Sequence, residues 1–400
     1  MTFKIIKTKL FIILFYSFCI TLSLASQNIN SQILQNNSFN INLFGAITYL
    51  FQNEEGFLEF MTDGDDNYTT IGIMSSYYFK NSFSINTQIS KQGIEDLDID
   101  FLTLRYSNTV NNNFNYNFEI GKIRTNVGFL SMGRLNPKNS WGIILPQALY
   151  SDTIKRYASG GLGFSLTPTY VFDSGWDLTF DFSFFKPSES NNETLVNTFY
   201  GPVTDGKYET GYAIIMKTSL NSITDNYQLY YLFALGQNDK FSPSGLNKDY
   251  DQKSMLNQIG FQYNVSKFAW LIEARYYQMW NNFFKDIGDT KRQNLFGFNI
   301  TTRYWFSPKI VANVFGYWYW TDKIGDWNGQ EKADIYGTNR YAHIQHDLYT
   351  TLIYNFSKNI DFKFEYHKMF GGAFMDSESN NMVDVPKQWD VIATQISFSF

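Results

Sequence analysis

The amino-acid sequence predicts an all-β fold, a 16-stranded antiparallel transmembrane β-barrel. Three observations carry that expectation. Apolar residues recur with period two over long segments. Aromatic residues make up 19% of the chain, yet its mean hydropathy is only −0.29. The connections between segments alternate long and short along the whole chain.

The N-terminus comes first. Lys4, Lys7 and Lys9 precede an apolar run from Leu10 to Leu24, which ends in Ser23-Leu24-Ala25. Small residues stand at both positions that a signal peptidase reads, so residues 1–25 are expected to be a signal peptide. The 15-residue run is short for a transmembrane helix, which needs about 20. Cys19 is an ordinary residue of this run, without the small residues that precede a lipidated cysteine. The precursor's net charge of −5 less those three lysines gives −8. An acidic balance argues against nucleic-acid binding, which wants a basic face. Residues 26–38, rich in Asn and Gln, are expected to form a short periplasmic tail.

Residues 39–400 are expected to form the barrel. No segment after the leader holds 18 consecutive apolar residues, which excludes helical spans. At the C-terminus Ile392, Thr394, Ile396, Phe398 and Phe400 alternate with Ala393, Gln395, Ser397 and Ser399. Upstream, Ile360, Phe362, Phe364 and Tyr366 alternate with Asp361, Lys363, Glu365 and His367. A helix would scatter these charges around its circumference, whereas a strand puts them on one side. Strands are predicted near 39–51, 67–80, 82–91, 98–108, 113–125, 159–172, 176–186, 208–220, 225–237, 254–265, 268–281, 294–306, 309–321, 342–356, 360–370 and 389–400. Eight long connections alternate with seven short turns such as Asp173-Ser174-Gly175 and Ser266-Lys267. That is the layout of long extracellular loops and short periplasmic turns in bacterial outer-membrane barrels. An open sheet edge in lipid would leave backbone groups unpaired, so 389–400 must pair with 39–51. Phe400, ending the last strand, reads as an assembly signal.

A barrel of this size leaves room for an aqueous channel. Its expected lumen wall includes Arg105, Glu119, Glu273, Arg275, Arg303, Asp361, Lys363 and Glu365, of mixed sign and read as mostly solvated. The third long loop, about 126–158, is the longest. It carries the apolar stretch Trp141-Gly142-Ile143-Ile144-Leu145-Pro146, which needs burial. Folding the loop into the barrel would supply it and narrow the pore. Between Gly121 and Gly160 stand six basic residues, Lys122, Arg124, Arg134, Lys138, Lys155 and Arg156, against one acid, Asp152. Basic groups in a constriction favour anions. Their alternative place is the outside, against lipopolysaccharide phosphates. Lys122 and Arg124 share the parity of Phe118 and Ile120, so either a bulge intervenes or they lie above the membrane.

The stretch from Phe118 to Asp152, "FEIGKIRTNVGF…LNPKNSWGIILPQALYSD", resembles the strand-and-loop signature of the phosphate-selective porin family and related porin-like barrels. Gly121, Lys122, Arg124, Pro146, Gln147 and Tyr150 carry the resemblance, and "FKFEYHKMFG" from Phe362 to Gly371 adds to it. The resemblance implies a 16-stranded porin, usually a homotrimer, that passes small hydrophilic solutes, with anion preference in some members. Implied partners are outer-membrane lipid, lipopolysaccharide and the solutes.

Rival functions find less support. His346-Asp347 and His367 fall near the ends of neighbouring predicted strands, but no motif singles out a serine nucleophile, so no enzyme is expected. No histidine spacing suits zinc, and no cofactor or metal is expected. Glu54, Glu55, Glu59, Asp63, Asp65 and Asp66 make the first long loop acidic, without the spacing of an EF-hand. A closed-pore adhesin or other surface-interaction barrel is the alternative reading, and ion conductance separates the two.

Overall fold

The computed structural model describes residues 38–52, 67–79, 82–93, 97–131, 136–150, 160–187, 206–222, 224, 226–243, 250–281, 292–321, 330, 333–334, 339–373 and 385–400. The expected leader, most of the tail and the acidic first loop lie outside them. Strands follow one another as β1 (Ser38–Gln52), β2 (Asn67–Phe79), β3 (Phe83–Gln92), β4 (Asp98–Asn111), β5 (Phe114–Arg124), β6 (Gly160–Phe172), β7 (Trp176–Pro187), β8 (Gly206–Glu209) and β9 (Tyr212–Ser222). They continue as β10 (Tyr227–Pro243), β11 (Tyr250–Val265), β12 (Phe268–Asn281), β13 (Arg292–Ser307), β14 (Ile310–Thr321), β15 (Ile344–Asn355), β16 (Ile360–Phe370) and β17 (Gln388–Ser399).

Successive strands pair antiparallel. β8 and β9 both lie along β10, end to end, so together they make one stave. The barrel therefore has 16 staves among the described residues. One continuous strand was expected over 208–220. It breaks at Thr210-Gly211, where the Gly211 amide turns aside to donate to the Asp239 carboxylate at 2.7 Å. The predicted start at residue 342 also moves to Ile344, because Arg340–His343 form a 3₁₀ turn capped by Asn339.

β1 and β17 close the ring, in register from Phe44 opposite Ser399 to Gln52 opposite Val391. The last residue takes part: Phe400 N–H donates to Leu43 O at 2.8 Å, and Leu43 N–H donates to Phe400 O at 2.9 Å. Its ring lies 5.8 Å from that of Phe398. Deleting Phe400 removes both backbone bonds at the seam and the outward ring. Outer-membrane insertion of the deletion variant is expected to fall sharply, with less effect on the melting of barrels already folded. Normal surface levels of the variant would count against this role.

Burial runs inside out compared with a water-soluble fold. On β16, Asp361, Lys363, Glu365 and His367 are buried, while Phe364 and Tyr366 are each 40% exposed. β3 repeats the pattern, with Ser84, Asn86, Gln88 and Ser90 buried and Phe83, Ile85 and Ile89 exposed. A chain arranged this way gains by placing its outer face in hydrocarbon and its polar face inside. The outer face also has a marked rim. At the short-turn ends, rings pack from strand to strand: Tyr77, Phe79, Phe83, Tyr106 and Tyr116 form one run. Trp176, Tyr227, Tyr263, Trp270, Phe268 and Tyr304 form another. Amphipathic rings in a belt suit a membrane–water boundary.

Candidate functional site in the barrel interior

The third long connection, between β5 and β6, leaves the long-loop rim and packs on inward-facing side chains of the wall. The described residues, 126–131 and 136–150, make contact at three levels.

The first level is a carboxylate cage. Glu273, mid-strand on β12, is fully buried. Its Oε1 accepts from the Phe129 amide at 3.0 Å and from the Tyr230 hydroxyl at 2.6 Å. The Tyr150 hydroxyl donates to the same carboxylate at 2.6 and 2.7 Å, while accepting from the Leu130 amide at 3.1 Å. Burial first, and then the Glu273 charge, hold the Tyr150 phenol well above its ordinary pKa, so it stays a donor. Gly128 sits against this cage. A Cβ there would collide with the Tyr150 hydroxyl and lie 2.9 Å from both Gln258 Nε2 and Glu273 Oε1. Gln258 donates to Tyr230 at 2.6 Å and accepts from the Arg275 guanidinium at 2.9 and 3.1 Å.

The second level lies lower. Asn136 caps the 3₁₀ turn Pro137–Asn139, which packs against β1 and β17. Asn136 reaches Ser399 at 3.4 Å, and Lys138 Nζ lies 3.3 Å from Asp361 Oδ2. Ser397 donates to the same aspartate. Asp361 is the second residue of β16, next to a short turn, so the loop descends nearly the full height of the barrel. Lys363 donates to the carbonyls of Pro137 and of Ser140, the latter at 2.9 Å.

The third level is a latch on the returning chain. Glu365 Oε2 accepts from the Ile143 amide at 2.8 Å and from Thr351 Oγ1 at 2.7 Å. Its Oε1 accepts from the Ile144 amide at 2.9 Å and faces His367 Nε2 at 2.7 Å. His367 Nδ1 faces Asp347 Oδ2 at 2.6 Å. The imidazole stacks 4.2 Å from Tyr349, which stacks 4.3 Å from Phe315. Each ring nitrogen of His367 thus faces a carboxylate, one from its own strand and one from β15. Nearby, the Arg303 guanidinium lies 4.2 Å over the Trp141 ring, and Asn313 donates to Trp141 O at 2.5 Å. Leu130, Leu145, Leu149 and Tyr150 complete a core with Leu271, Phe315, Tyr317 and Tyr349. The loop's apolar residues thus pack on apolar wall residues.

These contacts revise several expected positions. Glu273, Asp361, Lys363 and Glu365 are not a solvated wall; they anchor the loop and are covered by it. Lys122 does not line a constriction. Its cross-strand neighbours are Leu102 and Leu162, both exposed on the outer face, and it pairs there with Asp98 at 3.2 Å. The outward parity therefore holds without a bulge turning it inward. Arg124 ties the loop to its strand by donating to Ser131 O at 2.6 Å. Lys138 faces inward, but its charge is matched by Asp361. Arg134, Lys155 and Arg156 lie outside the described residues. Arg105 and Glu119, on the arc formed by β4 and β5, pair with each other, and the Arg105 side chain is 43% exposed.

Of the histidines considered for catalysis, His367 has neither ring nitrogen free to act as a base. Both nitrogens of His367 are occupied by carboxylates, the residue has no solvent exposure, and Thr351 donates to Glu365 rather than to the imidazole. The wall anchors are missed by sequence reasoning because nothing in the period-two pattern separates a covered position from a wetted one. The only signal was the apolar stretch at 141–146, which asks for a partner without naming it.

No protein-family model and no curated protein matches the chain. Solved structures do. The DcaP channel of Acinetobacter baumannii is similar at a TM-score of 0.54 and 13% identity, covering 91% of this chain and 98% of that one. OmpT, an outer-membrane protein of Vibrio cholerae, gives 0.55 and 9%, with coverage of 92% and 99%. An anion-selective porin from Comamonas acidovorans gives 0.54 and 9%, with coverage of 91% and 100%. The fold is that of outer-membrane porins. At these identities the likeness establishes the architecture and leaves function to this chain's own residues.

Proposed function

We propose that the chain is a porin of the bacterial outer membrane, exported through its N-terminal signal, that passes small hydrophilic solutes by passive diffusion. The observation that carries this reading is the inverted barrel: an apolar, aromatic-belted exterior around a polar interior, with one long loop latched inside. A loop docked on one side of a 16-stave barrel narrows the passage while the remaining wall stays polar. Purified protein in planar bilayers is expected to give stepwise conductance increments. A correctly folded barrel that never conducts would overturn the reading in favour of a closed-pore surface protein.

Anion preference is the finer part of the proposal. Its support is the surplus of basic residues between Gly121 and Gly160 and the likeness to a solved structure described as an anion-selective porin. Lys122 and Lys138 have carboxylate partners and Arg124 is tied to Ser131 O, so the preference falls to Arg134, Lys155 and Arg156. In a salt gradient the triple variant R134Q/K155Q/R156Q is expected to move the reversal potential toward cations. Cation selectivity of the unmodified channel would remove this part and leave the general porin. A homotrimer is part of the same reading, since one similar solved structure is described as a trimer form. Native mass measurement in detergent tests it.

A further inference from the structure

We infer that Arg303, held between an indole of the docked loop and an indole of the wall, is a docking site for a small organic carboxylate, and that the site is complete only while the loop is docked. The inference rests on the channel reading and deepens it by naming a class of solute and the residue that receives it.

Arg303 stands on the inward face of β13, four residues from its short-turn end, and is half-buried. In register beside it are Ala269 of β12, fully buried and too short to cover it, and Asn313 of β14. Asn313 fixes the guanidinium. Its Oδ1 accepts from Arg303 Nε at 2.7 Å, while its Nδ2 donates to Trp141 O at 2.5 Å. One amide thus ties the wall residue to the loop residue. The Trp141 ring lies 4.2 Å from the guanidinium carbon, and the ring of Trp305, on the same face of β13, lies 5.6 Å from it. A cation is attracted to aromatic faces, and a guanidinium stacked this way keeps its edge for hydrogen bonding.

That edge has no acid to meet it. Arg105 pairs with Glu119 and Lys138 with Asp361, but among the described residues no carboxylate pairs with Arg303. Its Nε–H is used by Asn313, which leaves the terminal nitrogens for a ligand. Coplanar N–H donors match the two oxygens of a carboxylate. A phosphate dianion asks for further donors, and the neighbouring ammonium, Lys363, is buried and engaged with the carbonyls of Pro137 and Ser140. The flanking indoles favour a solute with an apolar body. Half of this clamp belongs to the loop, so undocking removes Trp141 from the site. A ligand that binds the docked state more tightly stabilises that state by the same factor.

The test is calorimetric titration of the full-length barrel in detergent with benzoate. Benzamide serves as the neutral counterpart and inorganic phosphate as the tetrahedral anion. Benzoate should bind at least about tenfold more tightly than either, as expected for hydrogen bonds between charged groups in a planar fork. Arg303→Gln should weaken benzoate binding by a similar factor. Arg303→Lys keeps the charge, loses the fork and should fall between. Arg105→Gln removes a cation from the opposite arc and should bind as the unmodified barrel does. Trp141→Leu alters no stave, so it tests the clamp even if Arg303→Gln fails to assemble. It should bind about threefold more weakly, the share of a cation–π contact. Glu365→Ala barrels that trypsin shows to be undocked should lose at least as much. Undiminished binding by Arg303→Gln, or equal binding of benzamide or phosphate, would overturn the carboxylate site. Undiminished binding by Trp141→Leu or by undocked barrels would overturn the loop's share in it. A barrel that binds benzoate and never conducts would defeat the channel reading and leave this site standing, and one that conducts without binding benzoate would do the reverse.

Discussion

Replacing Glu365 with alanine is expected to release the third loop and raise single-channel conductance while the barrel stays closed. The carboxylate holds the Ile143 and Ile144 amides, Thr351 and His367 at once. Hydrogen bonds to a charged group contribute about 1.5–3 kcal/mol each, and each buried amide left without an acceptor costs about 1–3 kcal/mol. Losing both amide contacts therefore costs the docked loop several kcal/mol, on the order of the stability of a small folded unit. The staves keep their ladders, so heat resistance of the barrel should change little. Two measurements check the expectation. Conductance should rise, and trypsin should cut after Lys138, which in the docked loop is half-buried and paired with Asp361. Glu365→Gln keeps the shape and one acceptor oxygen, and should lie between the two. An alanine variant with unchanged conductance and no new cleavage would show that the loop is held elsewhere.

The second large effect is expected from Gly128→Val, which attacks the other end of the loop. Backbone and carboxylate approach so closely there that even a first side-chain carbon meets Tyr150, Gln258 and Glu273. None of the three can withdraw without giving up a buried hydrogen bond. Overpacking of this kind costs about 1–3 kcal/mol, and stranding the Glu273 carboxylate adds to it. The loop should swing from the β12 wall, and conductance should become larger and noisier. Tyr150→Phe separates sterics from hydrogen bonding, since it removes one donor and keeps the ring in the Leu130–Leu149–Phe315 core. If Gly128→Val conducts as the unmodified protein does, the cage at Glu273 does not control the passage.

His367 shows what a sequence can and cannot carry. Its place on the polar face of β16 follows from alternation with Phe364 and Tyr366. Its partner Asp347 sits on the neighbouring strand, where register alone decides which residues meet. Tyr349 pairs with His367 in that register, and Asp347 with Met369. The contact with Asp347 is a diagonal one, which no reading of either strand alone supplies. The same holds for Glu273, 144 residues from the amide it accepts.

The sequence by itself determined the architecture. Period-two alternation, the aromatic content and the rhythm of long and short connections set the number of staves, their order and the face each residue presents. These are local properties, repeated often enough that an error at one strand end does not change the count. The outward parity of Lys122 was legible for the same reason. Only the tertiary structure decided what the interior does with its charges. A barrel brings β5 and β12 to face one another across a lumen, and a loop between β5 and β6 can reach β12, β16 and β17 only once the ring is closed. Which carboxylates are wetted and which are buried under that loop depends on this closure. Burial and pairing at Glu273, Lys363 and Glu365 are relations between distant segments, and periodicity within one segment holds no record of them.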